Sequence, residues 1–439
     1  MSNRIKFNKS LYKPLRYFIY FVLLTLFLSL FGPKEYRDYN KVIVVVYIFL
    51  FLLFFSFGFI RGTKVKLKNN YYTRESRYKK ILLLVKYSII ISFSIVFYDF
   101  IIMFIKGNLN FSISSIGQNY IDFNKYRNYS YREYNLQTIL FFLGGFPKLV
   151  TIVLGLFFFP KLKNIYKYMI ISVILLTIFT RAIAIGNLIA LGNIILFIIV
   201  VSYIKMLDFS ATRKIKILKN IVIYTSLAFV LFVIVMAQRL EAVGATAGNI
   251  NSRLIGGSYF NFDNVIFKVM GFKYGLPIAY FITGYLSGGY YGLSLCLQLP
   301  FVWTYGIGNS YTLSVFFERF IGLPAVLDKV YPIRMEMITG WKGLQYWNTI
   351  FPWMASDFTF IGTLFIFIPI AYFYAISWKE IILYRNPVSI LFFTVLTLGL
   401  LFVPMNNQLL HGINNFIMTI ITIFFWIKYH TKYNIVSTI

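Results

Sequence analysis

The feature that most constrains this chain is a repeated one. Apolar runs of about 16 to 26 residues recur along its length, separated for the most part by short basic loops. Each run can cross a hydrocarbon core of about 30 Å as a helix. Inside lipid every backbone polar group must be satisfied within its own segment, so the runs predict α-helices. A transmembrane β-barrel would instead show alternating segments of about 10 residues, and none is found. Only 13% of the 439 residues are charged against 59% hydrophobic, too few to cover a soluble chain of this length. The predicted class is an all-α polytopic membrane protein.

The formal net charge of +29 raises the question of nucleic acid. The basic residues form no single stripe, however, and no nucleic-acid partner is expected. They sit in short loops, as the positive-inside rule describes. Arg61, Lys64, Lys66, Lys68, Arg74, Arg77, Lys79 and Lys80, against Glu75 alone, mark one loop as cytoplasmic. Arg4, Lys6, Lys9, Lys13 and Arg16 place the N-terminus on the same side. No small-residue cleavage site follows the first run, so it reads as an uncleaved helix. The single cysteine, Cys296, excludes an internal disulfide, and two histidines make a His/Cys metal cluster improbable; no metal or cofactor is expected.

Ten full crossings are predicted, at about 17–31, 42–60, 81–105, 138–159, 168–180, 182–204, 221–237, 358–378, 387–405 and 413–428. Residues 1–237 form a seven-helix N-terminal bundle and 354–439 the last three helices with a cytoplasmic tail. Between them, 238–353 reads as a large extracytoplasmic segment. Its one membrane-competent stretch, 276–303, is broken by Gly284, Gly288, Gly289, Gly292 and Pro300. A single crossing there would put Lys379, Arg385 and the basic tail outside, so a re-entrant or paired short-helix element is preferred, with twelve crossings as the alternative.

A connection of that length inside a helix bundle points to function. It carries Arg239, Glu241, Arg253, Arg334 and Glu336 among its charges, and Trp303, Tyr305, Trp347 and Trp353 among its aromatics. Arginine presents a planar fork that matches phosphate oxygens, and aromatic faces pack on the apolar faces of sugar rings. Together they suit a lipid diphosphate–sugar; the bland alternative is an interfacial aromatic belt with snorkelling arginines. Arg181, in a tight external turn with no acidic neighbour in sequence, must reach water or an anion. Asp357 precedes a helix expected to begin near Phe358 and reads either as its N-cap or as a surface carboxylate able to take a proton. Asp99 and Lys86 in the third helix stand too far apart to pair within it, and Lys148 follows Pro147 in the fourth. Such buried charges are functional suspects; His411 and His430 have no evident partner.

Several stretches carry a family resemblance: Tyr285-Leu286-Ser287-Gly288-Gly289-Tyr290-Tyr291-Gly292-Leu293, Trp303-Thr304-Tyr305-Gly306-Ile307-Gly308-Asn309-Ser310, Trp347-Asn348-Thr349-Ile350-Phe351-Pro352-Trp353 and Ala355-Ser356-Asp357-Phe358-Thr359-Phe360-Ile361-Gly362. The chain resembles the Wzy-type oligosaccharide repeat-unit polymerases of O-antigen and capsule synthesis. The resemblance implies a glycosyltransferase-type polymerase at the outer face of a bacterial cytoplasmic membrane. Its substrates would be polyprenyl-diphosphate-linked oligosaccharides, and a chain-length regulator and a flippase its candidate partners. It further implies arginines on two external loops, and Arg181 opens an Arg–ten residues–Gly pattern ending at Gly192 similar to the family's. The expected catalytic set is Arg181, Arg239, Arg253, Arg334, Asp357 and Glu241. The expected substrate-binding set is Tyr290, Tyr291, Trp303, Tyr305, Asn309, Trp347, Asn348 and Trp353. Related polymerases and ligases often carry a histidine before the last motif, where this chain reads Tyr346-Trp347-Asn348, a departure that speaks against a histidine-based mechanism. A ligase moving finished polymer and a flippase for lipid-linked units are the alternatives; transporters more often pair broken helices in two similar halves.

Overall fold

The structure, a computed structural model, describes residues 10–67, 74–105, 115–122, 136–184, 188–254, 258–323, 325–430 and 433–434. The side chain of Arg253 lies outside the described residues. In chain order the elements that matter here are α1 (Lys13–Phe31), β1 (Lys34–Tyr36), α2 (Lys41–Lys64), β2 (Lys66–Leu67), α3 (Arg74–Ile105), α4 (Leu136–Leu143), α5 (Gly145–Phe157), α6 (Asn164–Thr177), α7 (Leu188–Met206) and α8 (Ala211–Ala242). Then follow α9 (Ile250–Arg253), β3 (Ser258–Phe260), α10 (Val265–Ala279), α11 (Gly289–Cys296), α12 (Tyr311–Phe316), α13 (Val326–Lys329), α14 (Tyr331–Thr339), α15 (Phe351–Tyr384), α16 (Pro387–Leu401), α17 (Gln408–His411), α18 (Ile413–Tyr429) and β4 (Tyr433–Asn434).

Among the described residues, 8 helices are long and apolar enough to cross a membrane, and α5, α16 and α18 are shorter apolar helices. Together they account for every run read from the sequence and add 265–286. The chain is an all-α polytopic membrane protein. Several boundaries move. Helix α8 starts at Ala211, so Arg213, Lys214, Lys216 and Lys219 form its first turns instead of a loop. The fourth run is broken at Gly144, where Gly145 packs directly against Asn414. The expected element at 276–303 is two pieces. Helix α10 kinks at Gly271 (φ 65°) and runs through a π-helical turn, Tyr280–Leu286, before α11. The part beyond the kink, 272–286, spans about 22 Å as helix, the length of α16.

The bundle core is aromatic. Phe51 meets Phe351 at 4.9 Å and Phe367 at 4.8 Å between ring centroids, and Phe55 meets Phe18 at 4.5 Å. Such pairs contribute about 0.5–1.5 kcal/mol beyond area burial. Helices α2 and α15 approach closely where Gly58 and Gly62 face the backbones of Ile368 and Tyr372. Lipid gives helices no hydrophobic reason to associate, so small residues that admit close packing do it. Helix α16 is buried almost throughout, whereas α8 exposes Ile215, Leu218, Val222, Leu227 and Val230.

The two ends of the bundle differ. At the basic end, Lys379 Nζ caps α2 by donating to the carbonyls of Thr63 (2.7 Å) and Val65 (2.6 Å). Arg385 holds Asp208 there at 2.5 Å, and β2 pairs with β4. At the other end β1 pairs antiparallel with β3, which fastens the late segment to the α1–α2 connection. Glu35 accepts from Tyr259 Oη (2.5 Å) and Asn261 Nδ2 (3.0 Å), and these bonds hold its carboxyl below the usual carboxylate range. Lys34 beside it is 7% exposed, and its amine lies over Tyr36, Trp341 and Phe260 at 5.1, 5.2 and 5.9 Å. Burial pushes this amine down to about 7. From this end α11 enters the bundle: Tyr290 Oη meets Thr25 Oγ1 at 3.0 Å, six residues and about 9 Å inside the Phe31 end of α1.

Candidate functional site

Helices α3, α6 and α8 run in the same sense, so Asp99, Arg181 and Arg239 near their C-terminal ends share the end of the bundle opposite the basic loops. Arg181 does not sit in a tight turn. It lies in a π-helical turn, Ile178–Ile183, that continues α6. Single π turns put one extra residue into a helix and recur at functional sites. The acid that the sequence did not place beside it is Asp99, 82 residues away: Arg181 Nη2 donates to Asp99 Oδ2 at 2.5 Å, with side chains 21% and 12% exposed. The pair borders a cavity of about 50 Å³ also lined by Ser92, Lys148, Thr177, Thr180 and Asn414. Lys148 feels both charges, and among the described residues its ammonium makes no hydrogen bond or ion pair.

Arg239 is built differently. Its guanidinium carbon lies 3.4 Å from the Tyr120 ring centroid, Nη1 donates to Tyr285 Oη at 3.4 Å, and Nε is buried without a hydrogen bond. No carboxylate pairs with it among the described residues. Tyr285 in turn meets Phe232 at 5.4 Å and Trp347 at 6.1 Å. The apolar cluster of Ile116, Ala182, Leu188, Leu191, Phe232, Val235 and Met236 adjoins both the Arg181 turn and the Arg239 helix. Two arginine positions thus flank one buried apolar cluster. No family model matches the chain, and neither does any curated protein or solved structure.

Asp357 has another task than the one expected. It is not an N-cap: α15 begins at Phe351, breaks at Thr359 (φ 63°, ψ 163°) and restarts there, with Thr359 Oγ1 accepting from Gly362 N at 3.1 Å. Thr359 is therefore the cap of the second segment. The Asp357 carboxylate is 7% exposed and accepts five hydrogen bonds. Oδ1 takes Thr304 Oγ1 (2.5 Å), Gly306 N (2.8 Å) and Gly308 N (3.4 Å). Oδ2 takes the Asn309 backbone N and Nδ2, both at 2.7 Å. A carboxylate with both oxygens so engaged fastens a loop and has no lone pair to offer an incoming hydroxyl.

The other expected residues divide by burial. Tyr290 and Tyr291 are buried, the first bonded to Thr25, the second stacked on Tyr36 at 4.2 Å. Asn348 is buried and spent on Gly343 O (2.7 Å), Tyr346 O (3.1 Å) and Trp341 Nε1 (3.1 Å). Trp353 is buried against His411. These four are core residues and present no face to a ligand. Asn309 is spent on the Asp357 clasp, and Trp347 is half-buried. Arg334 sits away from the other arginines, donating to Pro300 O at 2.8 Å. Glu241 is exposed at the end of α8, and a spacing of two turns it away from Arg239 around the helix. Trp303 and Tyr305 alone among the expected aromatics are well exposed. Sequence reasoning missed Tyr120 and had no means of pairing Asp99 with Arg181.

Proposed function

We propose that this protein joins polyprenyl-diphosphate-linked oligosaccharide repeat units into polymer at the outer face of a bacterial cytoplasmic membrane. The observation that carries the reading is Arg239, a partly buried guanidinium stacked on Tyr120, unmatched by any carboxylate among the described residues, at the rim of an apolar cluster. Such a position suits a ligand with an anionic head and an apolar tail. The basic loops at the opposite end support an external location through the positive-inside rule.

In the reaction, the anomeric carbon–oxygen bond to the diphosphate of the growing chain breaks as a hydroxyl oxygen of the incoming unit bonds to that carbon. The hydroxyl proton leaves to a base, and the polyprenyl diphosphate departs with the bonding electrons. Its developing charge needs fixed donors aimed at it in a site with little water. Arg239 is placed to supply them, and Lys148 lines the neighbouring cavity. Arg181 is already matched by Asp99, so its part is to hold the π turn and cavity in shape. Asp357 takes no proton, because its oxygens are occupied.

The test is a liposome assay with purified full-length protein and lipid-linked repeat units extracted from the native host. The wild type yields a polymer ladder on a gel. Arg239→Ala abolishes it with an unchanged melting temperature, and Arg239→Lys restores part. A full ladder from Arg239→Ala refutes the site; no ladder from folded wild type refutes the activity.

A further inference from the structure

The strongest feature outside the arginine sites is the stretch 300–305. From Phe301 to Tyr305 burial alternates with a period of two, as in a strand. Phe301, Trp303 and Tyr305 are 42%, 57% and 51% exposed, while Thr304 is fully buried. Trp303 and Tyr305 stand 5.3 Å apart between ring centroids. Lys329 Nζ donates to Tyr305 Oη at 3.0 Å, and Arg334 Nη1 donates to Pro300 O at 2.8 Å. Neither cation has an ion-pair partner among the described residues, and Asp328, exposed next to Lys329, pairs with neither.

This surface is held in place. Tyr305 sits at φ 60°, in the left-handed region that a bulky residue rarely adopts. Such a conformation persists only where its surroundings fix it. Here Asp357 does so, through Thr304 on one side and Gly306, Gly308 and Asn309 on the other. Aromatics that merely mark a lipid interface need no such anchoring, since they find their depth by their own amphipathic character.

We infer that Phe301, Trp303 and Tyr305 form a track for the glycan itself, and that Lys329 and Arg334 fit it to an acidic one. Successive pyranose rings lay their C–H faces on the aromatic faces. The flanking ammonium and guanidinium meet carboxylate or phosphate substituents on the sugars. The occupant is the growing chain, and this identification rests on the polymerase reading.

The experiment measures binding of two probes, hexagalacturonate and neutral maltohexaose, to full-length protein in nanodiscs by isothermal titration calorimetry. Hexagalacturonate binds more tightly, and added salt weakens it. Trp303→Ala weakens it by about 2- to 10-fold, and Lys329→Gln removes most of the preference over maltohexaose. Melting temperatures of both variants stay at the wild-type value, since both side chains project from the surface. Undiminished binding by Trp303→Ala overturns the track, whatever the polymer ladder shows. So does Trp303 fluorescence quenched by brominated lipid with no response to either sugar, which would make the stretch a membrane anchor. Intact glycan binding with no ladder from wild-type protein would instead overturn the polymerase reading and leave the track standing.

Discussion

Replacing Asp357 by Asn separates a structural clasp from a catalytic base. The carboxylate accepts three donors on Oδ1 and two on Oδ2. An amide must put its NH₂ at one of these positions. The less damaging choice is Oδ2, where it faces the Asn309 backbone N–H and Nδ2. Two hydrogen bonds to a charged acceptor are then lost, each worth about 1.5–3 kcal/mol, for a total of about 3–6 kcal/mol. That is a large share of the about 5–15 kcal/mol by which folded domains typically exceed their unfolded state. The loop 304–309 should loosen, Tyr305 should relax from its positive φ, and the aromatic stretch should lose its fixed geometry. The assay is thermal unfolding of purified protein in detergent, with polymer formation measured on the same preparation. The account predicts a clear fall in melting temperature together with shortened polymer. Wild-type stability with abolished polymerisation would refute the reasoning and return Asp357 to the role of base.

Further outcomes follow from other parts of the structure. Lys34 has a folded pKa of about 7 against a model-peptide value of 10.5. Between these values the unfolded chain binds a proton that the folded chain does not, so stability rises with pH across that window and is lowest below it. Melting curves from pH 6 to 10 should show that rise in wild type and a flatter profile in Lys34→Met. Asp99→Asn takes the carboxylate charge away from the partly buried Arg181 and should cost about 3–5 kcal/mol, whereas Asp99→Glu should recover part of the loss in the same melts. Gly58→Ala forces a methyl group into the Ile368 backbone and should cost about 1–3 kcal/mol through overpacking. Fluorescence-detected size exclusion would report it as a lower yield of monodisperse protein.

The helices were legible because hydrocarbon imposes one solution on every apolar run, so length alone locates a crossing. Their ends were less so. Arg213 to Lys219 read as a loop, yet long basic side chains extend a helix past the apolar zone and keep their charges in water. Arg181 was rightly singled out as a charge in need of an anion. Its partner Asp99 could not be found, because contact across 82 residues is a property of packing and leaves no local pattern. The aromatics show the same limit. Tyr290, Tyr291 and Trp353 are chemically equivalent to Tyr305 and Trp303, and only the tertiary fold buries the first three and exposes the last two. One signal was present and unused: Phe301-Val302-Trp303-Thr304-Tyr305 alternates large aromatic with small residues, the pattern of a segment with one outward face. Asp357 was read as a cap or a base because a helix was expected to begin after it, and the left-handed break at Thr359, which moves the cap two residues on, is not encoded by any propensity.

The central claim is that this protein polymerises lipid-linked repeat units outside the membrane. Its most direct test is the size of lipid-linked glycan in the native bacterium after deletion of the gene. The account predicts single repeat units that accumulate on lipid and are open to an impermeant glycosidase at the outer face, with long polymer restored by wild type and not by Arg239→Ala. Repeat units confined to the cytoplasmic face, or full-length polymer left unattached, would contradict it and point to a flippase or a ligase.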